Sequence, residues 1–94
     1  MDSEKAIEKR LAKKVEDRGG WTLKMLSTHV TGLPDRLCLL PGGIVFFVEV
    51  KTTKKKPSKI QLFIHRKLRL LGFNVHILDR LIDVEPIIKL NERN

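Results

Sequence analysis

The 94-residue sequence holds a single cysteine, Cys38, so no disulfide can form within the chain. Tyrosine is missing, and one tryptophan and four phenylalanines are the whole aromatic complement. That is a poor supply for a surface that reads bases by stacking. No stretch approaches the roughly 18 to 20 consecutive apolar residues of a membrane span. The opening Met1-Asp2-Ser3-Glu4 is polar and mixed in charge, unlike a secretion signal. These absences place the expected protein in a cytoplasm, away from membranes. Also missing are a Gly-x-Ser-x-Gly elbow and a Gly-rich phosphate loop, which removes the common nucleophilic hydrolases and nucleotide-binding folds. Cys38, His29, His65 and His76 do not have the close ligand spacing of a structural zinc site. Cys38 reads instead as a small apolar residue within a strand.

Acidic residues are in deficit. Eleven Asp and Glu face nineteen Lys and Arg, a formal charge of +8. Such a surplus attracts polyanions, nucleic acid foremost. The length allows one domain, residues 1–94, and 41% hydrophobic residues allow a modest core. A core this thin makes self-association a natural supplement.

Ile7, Leu11 and Val15 recur every four residues among charges, which predicts a helix over 3–18 closed by Gly19-Gly20. A strand is expected at 21–26 and a loop at 27–34, then a second strand at 35–40 ended by Pro41-Gly42-Gly43. Residues 44–51 form the most apolar run, rich in β-branched and aromatic side chains, and read as a strand buried on both faces. After a basic loop, Ile60, Phe63, Ile64, Lys67, Leu68 and Leu71 give a helical period over 58–71, with Gly72 as its cap. A fourth strand is expected at 73–78 and a short final helix near 87–90. The order α-β-β-β-α-β implies an α/β fold with a mixed sheet flanked by helices.

The chemistry lies in Pro34-Asp35 and, fourteen residues after Asp35, Glu49-Val50-Lys51. Alternation along a strand puts Glu49 and Lys51 on one face. A carboxylate and an amine are costly companions for a buried strand unless something there uses them. Asp35 opens the neighbouring strand of the hairpin, so two carboxylates come close and repel unless a cation lies between them. Mg²⁺ suits such oxygens, with Mn²⁺ as a substitute, and the Val50 carbonyl can complete the set. Lys51 is then placed to orient or activate the attacking water and to stabilise pentavalent phosphorus. The bland alternative is a structural Glu49–Lys51 pair on a solvated sheet face, with Asp35 as a turn residue.

Five blocks decide between these readings: Gly32-Leu33-Pro34-Asp35-Arg36-Leu37, Pro41-Gly42-Gly43, Val48-Glu49-Val50-Lys51, Ser58-Lys59-Ile60-Gln61 and Leu70-Leu71-Gly72-Phe73. In this order and spacing, from Glu4 to about Leu78, the chain resembles the VRR-NUC (virus-type replication-repair nuclease) family of the PD-(D/E)XK superfamily. The resemblance implies a restriction-endonuclease-like core and a metal held by Asp35, Glu49 and the Val50 carbonyl, with Lys51 catalytic. It also implies an acid from the first helix and a glutamine, Gln61, from the second. Its standalone members, of phages and bacteria, imply a homodimer cutting branched DNA such as Holliday junctions in a bacterial or phage-infected cell.

Glu4 and Glu8 share a stripe with Leu11 and Val15, and the family motif matches Glu8. For Gln61 there is a local role as well: Ser58-Lys59-Ile60-Gln61 reads as a capping box. Capping and metal-site roles are expected to coexist only if the helix starts earlier. The loop lysines Lys54, Lys55, Lys56 and Lys59 are expected to track a DNA backbone, as is Lys24, although each also fits plain surface charge. The rival functions are a nucleic-acid-binding module without catalysis and a relic nuclease fold recruited as a structural subunit. Neither explains why Asp35, Glu49 and Lys51 are all present.

Overall fold

The computed structural model describes residues 1–27, 29–52 and 55–93. Helix α1 spans Glu4–Asp17, with the Ser3 side chain capping it by accepting from the Ala6 N–H. Strands β1 (Trp21–Lys24), β2 (Arg36–Leu40) and β3 (Ile44–Val50) follow as an antiparallel meander. Helix α2 (Lys59–Leu70) then carries the chain to β4 (Asn74–Leu78), which pairs with β3 in parallel. The sheet order is β1-β2-β3-β4, mixed as expected. A 3₁₀ turn at Leu81–Asp83 leads into α3, Val84–Glu92.

The two faces of the sheet do different work. Cys38 and Leu40 of β2, Phe46, Val48 and Val50 of β3, and Leu78 of β4 share one face. Ile7, Leu11 and Val15 of α1 and Val84 and Ile88 of α3 close over it as a single core. The opposite face carries Phe47 and Glu49 and is covered by α2 chiefly over β4. Its β1 end stays open, with Trp21 at 61% exposure. Burial raises the Cys38 thiol to about 12, which keeps it a neutral apolar filler in β2.

Gly20 marks where α1 meets the sheet. A Cβ there would lie 2.3 Å from the Leu39 carbonyl oxygen and 2.8 Å from Val15, so only glycine permits the approach. Arg18 locks the same corner. Its guanidinium donates to both Glu85 oxygens, to Glu92 and to the Lys14 carbonyl, tying α1 to α3.

Two expectations need correction. The last helix is longer than 87–90, because Pro86 sits in its first turn, where a missing N–H costs nothing. In α2 only part of the apolar stripe is buried: Ile64 and Leu68 are half-buried beside Gln61 and the fully buried His65, whereas Ile60 and Phe63 are exposed. The inward face of the helix is therefore mixed, polar and apolar.

Leu11 lies entirely within the α1 core. Leu11→Ala should lower the unfolding free energy by roughly 2–5 kcal/mol, read from urea denaturation, with an unchanged slope.

Candidate active site

The loop before β2 is held against α2. Gly32 has φ +96°, and a Cβ on it would meet the Ile60 carbonyl oxygen at 2.9 Å. Glycine therefore lets this loop lie on the first turn of α2 and deliver Pro34, which is buried, and Asp35 to the sheet. Asp35 is fixed from both ends. Its carbonyl accepts from the Met25 N–H at 2.7 Å, and its carboxylate Oδ2 accepts from the Val50 N–H at 2.8 Å.

Glu49 projects from β3 with 1% of its surface exposed. Oxygen Oε2 lies 3.5 Å from Lys51 Nζ and accepts from Gln61 Nε2 at 3.1 Å. Oxygen Oε1 faces His65 Nε2 at 3.7 Å, beyond hydrogen-bond range, and accepts from no donor among the described residues. The Lys51 backbone N–H donates to the Leu78 carbonyl at 3.0 Å, extending the parallel ladder by one bond and fixing the root of its side chain.

Burial pushes the Glu49 carboxyl up to about 7, and the Asp35 charge pushes in the same direction against the opposing pull of Lys51. Burial also lowers the His65 ring, helped by the cations of Arg69 and Lys51. A neutral imidazole therefore stands behind a carboxyl reluctant to ionise.

Two adjacent carboxylates, one raised by burial and then by its neighbour and bearing an oxygen that receives no donor among the described residues, form a donor set that fits a hard divalent cation. Among the described residues, no group of three His, Cys, Asp or Glu side chains is assembled for a metal. A cation at this place would therefore take at most the two carboxylates of Asp35 and Glu49 from acidic side chains, with water and backbone oxygen for the rest. Mg²⁺ tolerates such a sparse protein set.

Asp35, Glu49 and Lys51 are brought together as the spacing implied, and Gln61 joins them as the resemblance implied. Glu49 is buried, which rules out the solvated-face alternative. Gln61 corrects the expectation that its two roles exclude each other when the cap is Ser58. Its Oε1 accepts from the Ser58 N–H at 2.8 Å while its Nε2 holds Glu49, so one amide serves both ends.

Glu8 is placed apart. Its carboxylate is bound by Arg36, and the strand register sets Arg36 opposite Val48, on the other face from Glu49. Lys24 is exposed and pairs in register with Arg36, again on that face. Lys55, Lys56 and Lys59 are exposed, and Lys54 lies outside the described residues. Sequence reasoning missed His65. Its spacing of four residues from Gln61 was the available signal, since it puts both on one side of the helix.

No family model matches the chain. A curated relative, named "Putative nuclease p44", from Acyrthosiphon pisum secondary endosymbiont phage 1, is 43% identical over 76 residues. The match covers 81% of this chain and 82% of that protein. A solved structure described as a VRR-NUC domain superposes with a TM-score of 0.86 at 33% identity. It spans 92% of this chain and 94% of the other.

The raised Glu49 carboxyl sets a sign for stability. A folded-state pKa of about 7 against an ordinary 4.5 means that the folded protein holds this proton more tightly. That contribution is complete below pH 4.5 and is lost as pH rises through 7. His65 and His76 are lowered and act oppositely in an overlapping range, so the quantity to read is a difference. In metal-free buffer, Tm of Glu49→Gln minus Tm of wild type should grow between pH 4.5 and pH 7. A flat difference would contradict the assigned shift.

Proposed function

As the chain belongs to the VRR-NUC family of nucleases, we propose that it is a divalent-metal-dependent DNA endonuclease centred on Asp35, Glu49 and Lys51. The observation that carries this reading is the buried Glu49 carboxyl, raised to about 7 beside Asp35 and faced by Lys51 Nζ. When bound, Mg²⁺ or Mn²⁺ supplies Lewis-acid polarisation of the scissile phosphate and neutralises the paired carboxylates.

The remaining parts belong to the chain. Asp35, steadied by the Val50 N–H, and Glu49, steadied by Gln61, hold the cation together with the Val50 carbonyl. Lys51 is half-buried and rooted in the ladder, so its ammonium can donate to phosphate oxygens as charge builds on them, and can orient the incoming water. Glu8 is held by Arg36 on the other face of the sheet, and in this scheme its part is to fix Arg36 beside Asp35 rather than to hold the cation. In this reading the exposed Lys55, Lys56 and Lys59, with Lys54 of the same run in sequence, contact phosphates, giving salt-dependent binding with little sequence preference. Lys24 adds a phosphate contact from the edge strand.

The finer reading is a homodimer acting on branched junctions. Leu62, Phe63, Leu70 and Leu71 of the α2 region are exposed apolar residues, Phe63 at 62%, as a self-associating surface requires. Two-fold symmetry would then present two sites to the symmetric strands of a four-way junction.

Labelled four-way junction, flap and linear duplex DNA, incubated with Mg²⁺, Mn²⁺ or EDTA, test both levels. Metal-dependent cutting is expected, reduced by at least about 100-fold in Glu49→Gln and in Lys51→Ala. Paired symmetric nicks in the junction would favour the dimer. Binding of every substrate with no cutting under any metal would leave a nucleic-acid-binding module in place of an enzyme.

A further inference from the structure

The buried His65 ring is not used by the chemistry described so far. It sits on α2 one helical turn after Gln61, fully enclosed. Among the described residues neither of its nitrogens has a hydrogen-bond partner, and the buried acceptor it faces, Glu49 Oε1, receives no N–H donor. Three orphaned polar atoms meeting in one enclosed place are a standing penalty, since each was stripped of water without compensation. A leucine would fill the volume without that penalty. Something other than packing accounts for a histidine here.

The two oxygens of Glu49 have different surroundings. Oε2 faces Lys51 and Gln61, whereas Oε1 faces His65 Nε2 at 3.7 Å. Closing that gap by less than 1 Å would make a normal N–H···O bond. A carboxylate that ligates a cation is itself oriented by such outer hydrogen bonds, which fix its rotation and raise its basicity.

We propose that His65 is a positioning residue for Glu49: as its Nε2–H tautomer it donates to Oε1 and so orients the carboxylate that holds the cation. Gln61 and His65, four residues apart on one helix, then grip the two oxygens of one carboxylate. The imidazole contributes no electron pair to the metal and touches no substrate. This assignment rests on the metal-binding reading above.

The test is Mn²⁺ binding by calorimetry, without DNA, on wild type, His65→Leu and His65→Gln, with Tm of each metal-free protein recorded. His65→Leu removes two unsatisfied buried nitrogens, so it should fold with a Tm at or above that of wild type. Its Mn²⁺ dissociation constant should rise by roughly 10- to 100-fold. His65→Gln keeps an N–H donor near the Nε2 position and should recover much of that loss. A purely structural histidine predicts the reverse pattern, a lower Tm with unchanged Mn²⁺ affinity, and that result would overturn the assignment. Equal Mn²⁺ affinity in wild type and His65→Leu, whatever their Tm, would overturn it as well. No Mn²⁺ binding by wild type would instead remove the metal reading, and this assignment with it.

Discussion

The burial of one carboxylate governs the arrangement around it. Glu49 occupies the centre of the sheet, where a side chain of its charge is expensive to place. Each neighbouring feature reduces or exploits that expense. Gln61 donates to one oxygen, and Lys51 offers a charge 3.5 Å from the same atom. Asp35 works against ionisation from the adjacent strand, and His65 stands behind the remaining oxygen. A protein selected only for stability would replace Glu49 with an apolar residue of similar volume. That it keeps a carboxyl raised to about 7 is the feature on which the proposed metal-binding reading rests.

Such a site needs a scaffold whose rigidity comes from elsewhere. The α1–α3 face supplies it, with Ile7, Leu11, Val15, Val84 and Ile88 closed over the even-numbered side chains of β3. The odd-numbered side chains are thereby released for chemistry on the other face. The period-two alternation of a strand makes this division possible within seven residues. The Arg18 cluster at the far corner serves the same division, because it pins α3 to α1 without involving the α2 side.

Sequence patterns revealed the parts that depend on periodicity and on strong local chemistry. Ile7, Leu11 and Val15 at helical spacing, the Pro41-Gly42-Gly43 turn and the apolar run into Glu49 each report a local physical rule, and the structure follows them. The rotation of α2 could be read only in part. Ile64 and Leu68 of its apolar stripe do turn inward, but Gln61 and His65 share that face beside Glu49, and Ile60 and Phe63 are left outside. Glu8 shows a similar limit. Its helical stripe points it at the sheet, but only the strand register reveals that Arg36, not Glu49, waits there. Tertiary partners overrule local pattern at sites where polar groups must be satisfied.

The charge distribution closes the argument. A formal +8 draws a polyanion from any direction, yet the bottom of the site is acidic. A phosphate cannot approach Asp35 and Glu49 on electrostatic grounds alone, since the nearest charges repel it. Lys51 offsets one of the two carboxylates and leaves the other unbalanced. On the proposed reading a divalent cation would join the acidic pocket to the basic residues that follow it, turning a local negative charge into a positive one. Surface lysines would then account for binding and the ion for cutting.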